Sequence, residues 1–367
     1  MERRSPCFRA CNAAEIVRYF RHNHTVNASP VKRELRNGRR ATRIDRNCFR
    51  GLHSPPPPAF ALSIQRSRPE RGEFVARILG WVLTALLGAL PLGTAFAQSL
   101  GEGRAEARIK GDEIEVYTYR PAGCAQPSIL LVFHGNGRTA ESYRDAARPL
   151  ADRACLVIYA PLFDKERFPN WRYHRGGLVR DGELQPEAIW TADMVDDLID
   201  WAQAEEGRAD APAYLFGHSA GGQFLSRVAA YDPPGEARRI VIANPSTYVW
   251  PDTDENAPYG FDRLGGDAAE EAMLRDYLAA PVTVFLGGED TGDEDLTNNR
   301  PARRQGENRL DRGHNVFEAA RQVAEARGWV FNWRLVTAEG IAHAGGQMMR
   351  SPEMLEAMGF GAESSGD

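Results

Sequence analysis

Short apolar runs punctuate the chain from residue 129 onward. Residues 129–133, 156–160, 213–216, 240–243 and 282–286 are too short for helices and do not alternate apolar with polar positions. Each therefore reads as a strand buried on both faces, and residues 330–336 read as a further strand. Between them lie stretches with helical spacing, chiefly 186–203, 222–231 and 319–327. Residues 109–119 instead alternate with period two, as an antiparallel strand with one wet face does. Strand and helix taking turns predict an α/β fold, a mostly parallel central sheet with helices on both faces. The span 244–280 exceeds a simple connection and is rich in Pro, Asp, Tyr and Trp. It predicts a small cap, with a helix near 268–278.

The first quarter follows different rules. The run 78–90 is apolar, preceded by Arg71 and Arg77 and followed by Ala95-Phe96-Ala97-Gln98. A basic flank, a short apolar core and small residues one and three before a cut describe a secretory signal over 75–97, cleaved after Ala97. That implies a secreted or periplasmic protein without a stable membrane anchor, because the core is too short to span a bilayer. Residues 1–74 carry sixteen Lys or Arg against six acids, Pro55 to Pro58, and three of the five cysteines, Cys7, Cys11 and Cys48. They show no sustained apolar period. A nucleic-acid-binding arm is one reading of such a run. The reading adopted is a start assigned too far upstream, with translation beginning near Val75 and no nucleic-acid partner.

The formal net charge of −5 thus combines a basic front with an acidic remainder. Residues 98–367 suit one large domain. Only Cys124 and Cys155 fall within it, each just before a buried strand. Neighbouring parallel strands start at the same sheet edge, and an exported compartment permits oxidation, so a Cys124–Cys155 disulfide is expected. Two buried free thiols would look the same in sequence.

The chemistry concentrates at strand ends. Gly217-His218-Ser219-Ala220-Gly221 sits between a strand and a helix, with small residues two before and two after the serine. That pattern lifts a hydroxyl clear of a sheet on a sharp turn. The strand 129–133 runs into His134-Gly135-Asn136-Gly137, whose glycines let backbone N–H groups approach a ligand. Asp290 follows the strand 282–286, and His343 follows the strand 330–336. Ser219, Asp290 and His343 occur in the chain order of a nucleophile, an orienting acid and a base.

These residues resemble the α/β-hydrolase superfamily over roughly 109–358, in the manner of secreted bacterial esterases and polyester-depolymerase-like enzymes. The resemblance implies Ser219 as nucleophile, His343 as general base and then acid, and Asp290 as the group orienting the imidazole. It also implies oxyanion donors from Ala220 and from Asn136 or Gly135. The chemistry asks for the same groups: a serine hydroxyl needs a base, and each oxyanion donor contributes roughly 3 kcal/mol.

Each role has competitors. Asp293 and Asp295 share the acidic loop with Asp290, which leads by its nearness to the strand end. His314 competes with His343 but precedes the helical stretch 316–327, where capping or packing is expected. His134 and His218 are expected to shape the neighbouring loops. No His, Cys or acidic cluster has metal-ligand spacing, and no metal or organic cofactor is implied. Two aromatic loops carry Trp171 on one side and Tyr248 and Trp250 on the other. Aromatics there either line a substrate pocket or pin the loops to the domain. Arg172 and Arg175 either bind a substrate carboxylate or make surface salt bridges.

The reading is a secreted serine hydrolase of small or polymeric carboxylic esters. The alternatives are a peptidase or amidase on the same fold, and a non-catalytic binding protein. Acid chain length and oligomeric state are not legible.

Overall fold

The computed structural model describes residues 100–361. The expected signal at 75–97 and the segment 1–74 lie outside the described residues. Eight strands build one sheet: β1 Gly101–Ile109, β2 Asp112–Arg120, β3 Ser128–Phe133, β4 Leu156–Pro161, β5 Ala213–His218, β6 Ala237–Ala243, β7 Val282–Gly287 and β8 Arg334–Ala338. Their order is β1-β2-β4-β3-β5-β6-β7-β8. The pairs from β4 to β8 are parallel, and β1–β2 and β2–β4 are antiparallel.

The principal helices are α1 Ala140–Ala154, α2 Met194–Glu205, α3 Ala220–Tyr231, α4 Asp267–Ala279, α5 Arg300–Gln305, α6 Arg309–Arg327, α7 Gly345–Arg350 and α8 Glu353–Ala357. The unbroken apolar strands now have their explanation. Ile129, Leu131 and Phe133 of β3 face one core together with residues of α2, α3, α4 and α6. Leu130 and Val132 face the other, against α1, α7 and α8. Successive side chains point to opposite faces, so a sheet covered on both sides needs every position apolar.

Several expected boundaries move. The alternating stretch 109–119 is the second half of a hairpin, because Lys110 and Gly111 both take positive φ, 50° and 89°, and turn the chain between β1 and β2. The helical stretch 186–203 splits into a single 3-10 turn, Glu187–Ile189, and α2. The helix foreseen over 316–327 starts at Arg309, where Asn308 caps it by accepting from the Asp311 N–H. The last strand begins at Arg334 rather than 330, since Asn332 and Trp333 donate to carbonyls at the end of α4 instead of to a strand.

The span expected as a cap carries the expected helix, Asp267–Ala279, and is anchored in the core. Tyr248, Val249, Phe261 and Tyr277 from it join the core beneath the sheet, and Val249 N–H donates to Ser226 Oγ on α3. Cys124 and Cys155 are free thiols, so the expected bridge is not formed here. They are adjacent: burial first, and then a hydrogen bond with Cys124, push the Cys155 thiol up to about 11. Among the described residues no helix is long and apolar enough to cross a membrane.

Candidate active site

Ser219 stands where β5 turns into α3, with φ 55° and ψ −111°. A non-glycine residue at positive φ costs of order 1–3 kcal/mol and persists only where its surroundings fix it. They do so here: the Ser219 N–H donates to the Ala243 carbonyl at 2.9 Å, and the Ser219 carbonyl accepts from the Gln223 N–H at 2.9 Å. The flanking glycines are required by space. A Cβ on Gly221 would lie 2.2 Å from the Phe133 carbonyl oxygen, and one on Gly217 would lie 2.4 Å from the Gly221 carbonyl oxygen.

The ends of β7 and β8 bring the other two groups to this apex. His343 Nε2 lies 3.0 Å from Ser219 Oγ, and His343 Nδ1 lies 2.6 Å from Asp290 Oδ2. The two loops are stitched together by Gly288 N–H to Ala338 O at 2.9 Å and Glu289 N–H to Ile341 O at 3.0 Å. Asn244, at the end of β6, accepts from Gly287 N–H through Oδ1 at 2.9 Å. Asp290 is 1 % exposed, whereas Asp293 and Asp295 are exposed and absent from the constellation. His314 sits within α6 on an exposed face, away from this chemistry. A hydroxyl, an imidazole and a buried carboxylate in line can pass a proton from oxygen to nitrogen while the carboxylate fixes the tautomer.

Arg309 is the residue that sequence reasoning missed. Its Nη1 lies 3.6 Å from Asp290 Oδ1, and both side chains are 1 % exposed. It donates to the Gly292 and Glu294 carbonyls, binding the acidic loop to the start of α6. Asp290 Oδ1 has no hydrogen bond otherwise, so this guanidinium is the charge that compensates the buried carboxylate. The signal was Asn308, a capping residue three before Asp311, which marks a helix start that the apolar spacing placed too late.

On the other side of the serine, Ala220 is the first residue of α3, so its N–H is one of the amides that no helical carbonyl reaches. The Asn136 amide makes no hydrogen bond among the described residues. Gly135 serves to admit Tyr143, whose oxygen would lie 2.7 Å from a Cβ there.

Tyr143 Oη also lies 2.8 Å from His218 Nδ1. The His218 ring packs 4.6 Å from the His343 ring, and burial, then the neighbouring His343 and Arg309, hold His218 well below the usual histidine range. His134 is likewise kept neutral, its pKa lowered to about 4 mainly by burial. Its Nδ1–H donates to Gly135 O and its Nε2 accepts from Phe163 N–H. Both histidines shape the loops, as their positions suggested.

The aromatic candidates separate. Tyr248 is fully buried, its N–H and carbonyl paired with Gln305, so it packs the interior and does not line an open pocket. Trp250 borders a cavity of 340 Å³ with Tyr259, Glu255 and Arg304, whose wall does not include Ser219. Trp171 is half-buried beneath Arg180, 5.4 Å from its ring. No cluster of His, Cys, Asp or Glu among the described residues could hold a metal ion.

The family model described as "Alpha/beta hydrolase family" matches residues 129–310. In structure the chain resembles LpqC, a poly(3-hydroxybutyrate) depolymerase from Bordetella parapertussis, with 32% identity, a TM-score of 0.66, and 71% of this chain and 91% of that one covered. The chain belongs to the alpha/beta hydrolase family. It also resembles poly(aspartic acid) hydrolase-1 from Sphingomonas sp. KT-1, with 32% identity, a TM-score of 0.63, and 69% of this chain and 97% of that one covered. No curated protein matches this alpha/beta hydrolase.

Proposed function

We propose that the protein is an exported serine hydrolase that cleaves carboxylic esters through an acyl-enzyme on Ser219. The observation that carries the reading is the line Ser219 Oγ, His343, Asp290 at 3.0 and 2.6 Å, with the serine held at φ 55° on the strand-to-helix turn.

His343 Nε2 takes the hydroxyl proton as Oγ attacks the ester carbonyl, and returns it to the leaving alcohol as the tetrahedral intermediate collapses. Asp290 orients the imidazole through Nδ1 and stabilises its cation. Ala220 and Asn136 N–H groups stabilise the oxyanion, each contributing roughly 3 kcal/mol. Water activated by the same imidazole then releases the acid. Resemblance to a poly(3-hydroxybutyrate) depolymerase favours esters over amides, while resemblance to a poly(aspartic acid) hydrolase keeps the amidase reading as the second.

A panel of aryl and alkyl esters with one matched amide tests this. Wild type should hydrolyse the esters, Ser219→Ala and His343→Ala should lose nearly all turnover while melting as wild type does, and the amide should be the poorest substrate. Full ester turnover in Ser219→Ala would overturn the nucleophile, and an amide preferred over its matched ester would favour the second reading.

A further inference from the structure

Ser219, Gln223 and Arg227 are spaced four apart in and beside α3, so they form one stripe on the helix. Gln223 and Arg227 lie about 6 and about 12 Å along the axis from the serine. Arg227 is fully buried and has no carboxylate partner. Its guanidinium is held only by neutral acceptors, the carbonyls of Pro258, Gln223 and Thr247 and the Thr247 hydroxyl. That hydroxyl donates to Gln223 Oε1 at 3.0 Å, which leaves the Gln223 amide nitrogen free to donate.

Arg175 shares the Tyr259 ring with Arg227. Its guanidinium is 5.9 Å from the Tyr259 ring and that of Arg227 is 5.5 Å from it. Arg172, the other arginine of that loop, is committed to Asp112 at 3.1 Å. The Arg175 guanidinium makes no ion pair or hydrogen bond among the described residues. His174 beside it has a buried Nε2 with no partner. Burial, and then Arg138, Arg175 and Arg227, lower its pKa to about 3, so it stays neutral. The acid that acts on Arg138 is Asp164, which is itself paired with Arg167. His174 thus feels three guanidiniums, and two of them, Arg175 and Arg227, have no carboxylate partner among the described residues. Uncompensated buried charge is costly, and a ligand anion removes that cost.

We infer that Arg175, backed by Arg227 and with the Gln223 amide as a further donor, forms a subsite for a substrate carboxylate. The preferred substrates are esters that carry a free carboxylate several bonds from the scissile carbonyl, as the end of a hydroxyacid oligomer does. The subsite rests on the serine-hydrolase reading above, because Gln223 and Arg227 share one helix stripe with Ser219. A guanidinium pairs with a carboxylate through two parallel N–H donors, a stronger bond than one between neutral groups.

The test compares kcat/KM for mono-4-nitrophenyl esters of six- and eight-carbon dicarboxylic acids with the uncharged 4-nitrophenyl alkanoates of equal length. A second pair carries the carboxylate on the alcohol side, 3-butanoyloxypropanoate against its methyl ester. Wild type should favour the anionic member of at least one pair by roughly tenfold or more, the effect of one charge-assisted hydrogen bond. Arg175→Met should bring that ratio toward one, and Arg175→Lys should retain part of it, with melting curves confirming that both variants fold. A ratio near or below one in wild type, or a ratio that Arg175→Met leaves unmoved, overturns the subsite while leaving the esterase reading intact. Absence of Ser219-dependent turnover with every ester overturns both.

Discussion

Replacing Gly221 by alanine adds one methyl group where there is no room for it. The new Cβ would lie 2.2 Å from the Phe133 carbonyl oxygen, 2.7 Å from its carbon and 2.9 Å from the His134 carbonyl oxygen, all backbone atoms. Relief to ordinary contact at 3.4 Å requires the first turn of α3 and the end of β3 to separate by about 1 Å. That motion shifts Ser219 against His343 and moves Asn136 away from Ala220. Overpacking of this kind costs about 1–3 kcal/mol, which in a domain of this size lowers Tm by roughly 2–12 °C. A displacement near 1 Å at a reacting atom costs on the order of 100-fold in rate. Steady-state kinetics on a 4-nitrophenyl ester and a thermal melt measure both effects. Gly235→Ala is the control, since nothing lies within 4 Å of a Cβ there, and it should leave both quantities unchanged. A Gly221→Ala variant within threefold of wild-type kcat/KM and with an unshifted Tm would refute the argument that close backbone approach sets this turn.

Other consequences follow from buried charge and from the two thiols. Arg309→Met leaves the Asp290 carboxylate buried without its compensating cation, so stability should fall by about 3–5 kcal/mol, read by urea denaturation; a loss below about 1 kcal/mol would mean that the pair is not what holds the acidic loop. Burial first, and then the bond and charge of Asp193, push the Asp232 carboxyl up from 3.8 to about 7. The folded state therefore binds the extra proton, and stability from this group is present below about pH 4 and lost as pH rises through 7. Asp232→Asn should raise Tm at pH 8 and not at pH 4, and an equal shift at both would contradict the assignment. Cys124 and Cys155 are adjacent free thiols, so denatured, unoxidised protein should titrate both. Treatment of the folded protein with oxidised glutathione should remove the pair together and raise Tm, because closing a loop of about thirty residues contributes roughly 3 to 4 kcal/mol in the chain-entropy relation. Loss of a single thiol, or a lowered Tm, would show that the two sulfurs do not meet.

What the sequence shows and what it hides divide along physical lines. The strands of the parallel core are legible because burial on both faces leaves few polar positions: residues 129–133 have none, and Val282–Gly287 has only Thr283, whose hydroxyl donates to the Ala357 carbonyl. Ser219 and its glycines are legible because a sharp turn admits few residue types. Asp290 and His343 follow from their places after strands. The hairpin at Lys110 and Gly111 is hidden because its two strands share one alternating pattern across the turn. The true start of α6 is hidden because Arg309 and Arg312 are buried yet charged, which breaks the apolar spacing. Burial of Tyr248 is invisible for the converse reason, since a tyrosine suits a pocket wall and a core equally. Arg309 and Arg175 are meaningful only through what lies beside them in space, a carboxylate in one case and none in the other.

The central claim is that Ser219 is a nucleophile activated by His343. It is tested most directly by treating the protein with a fluorophosphonate and mapping the adduct by peptide mass spectrometry. The account predicts one adduct, on Ser219, that is absent in Ser219→Ala and forms far more slowly in His343→Ala. An adduct on another residue, or an unlabelled Ser219 in folded protein, would contradict it.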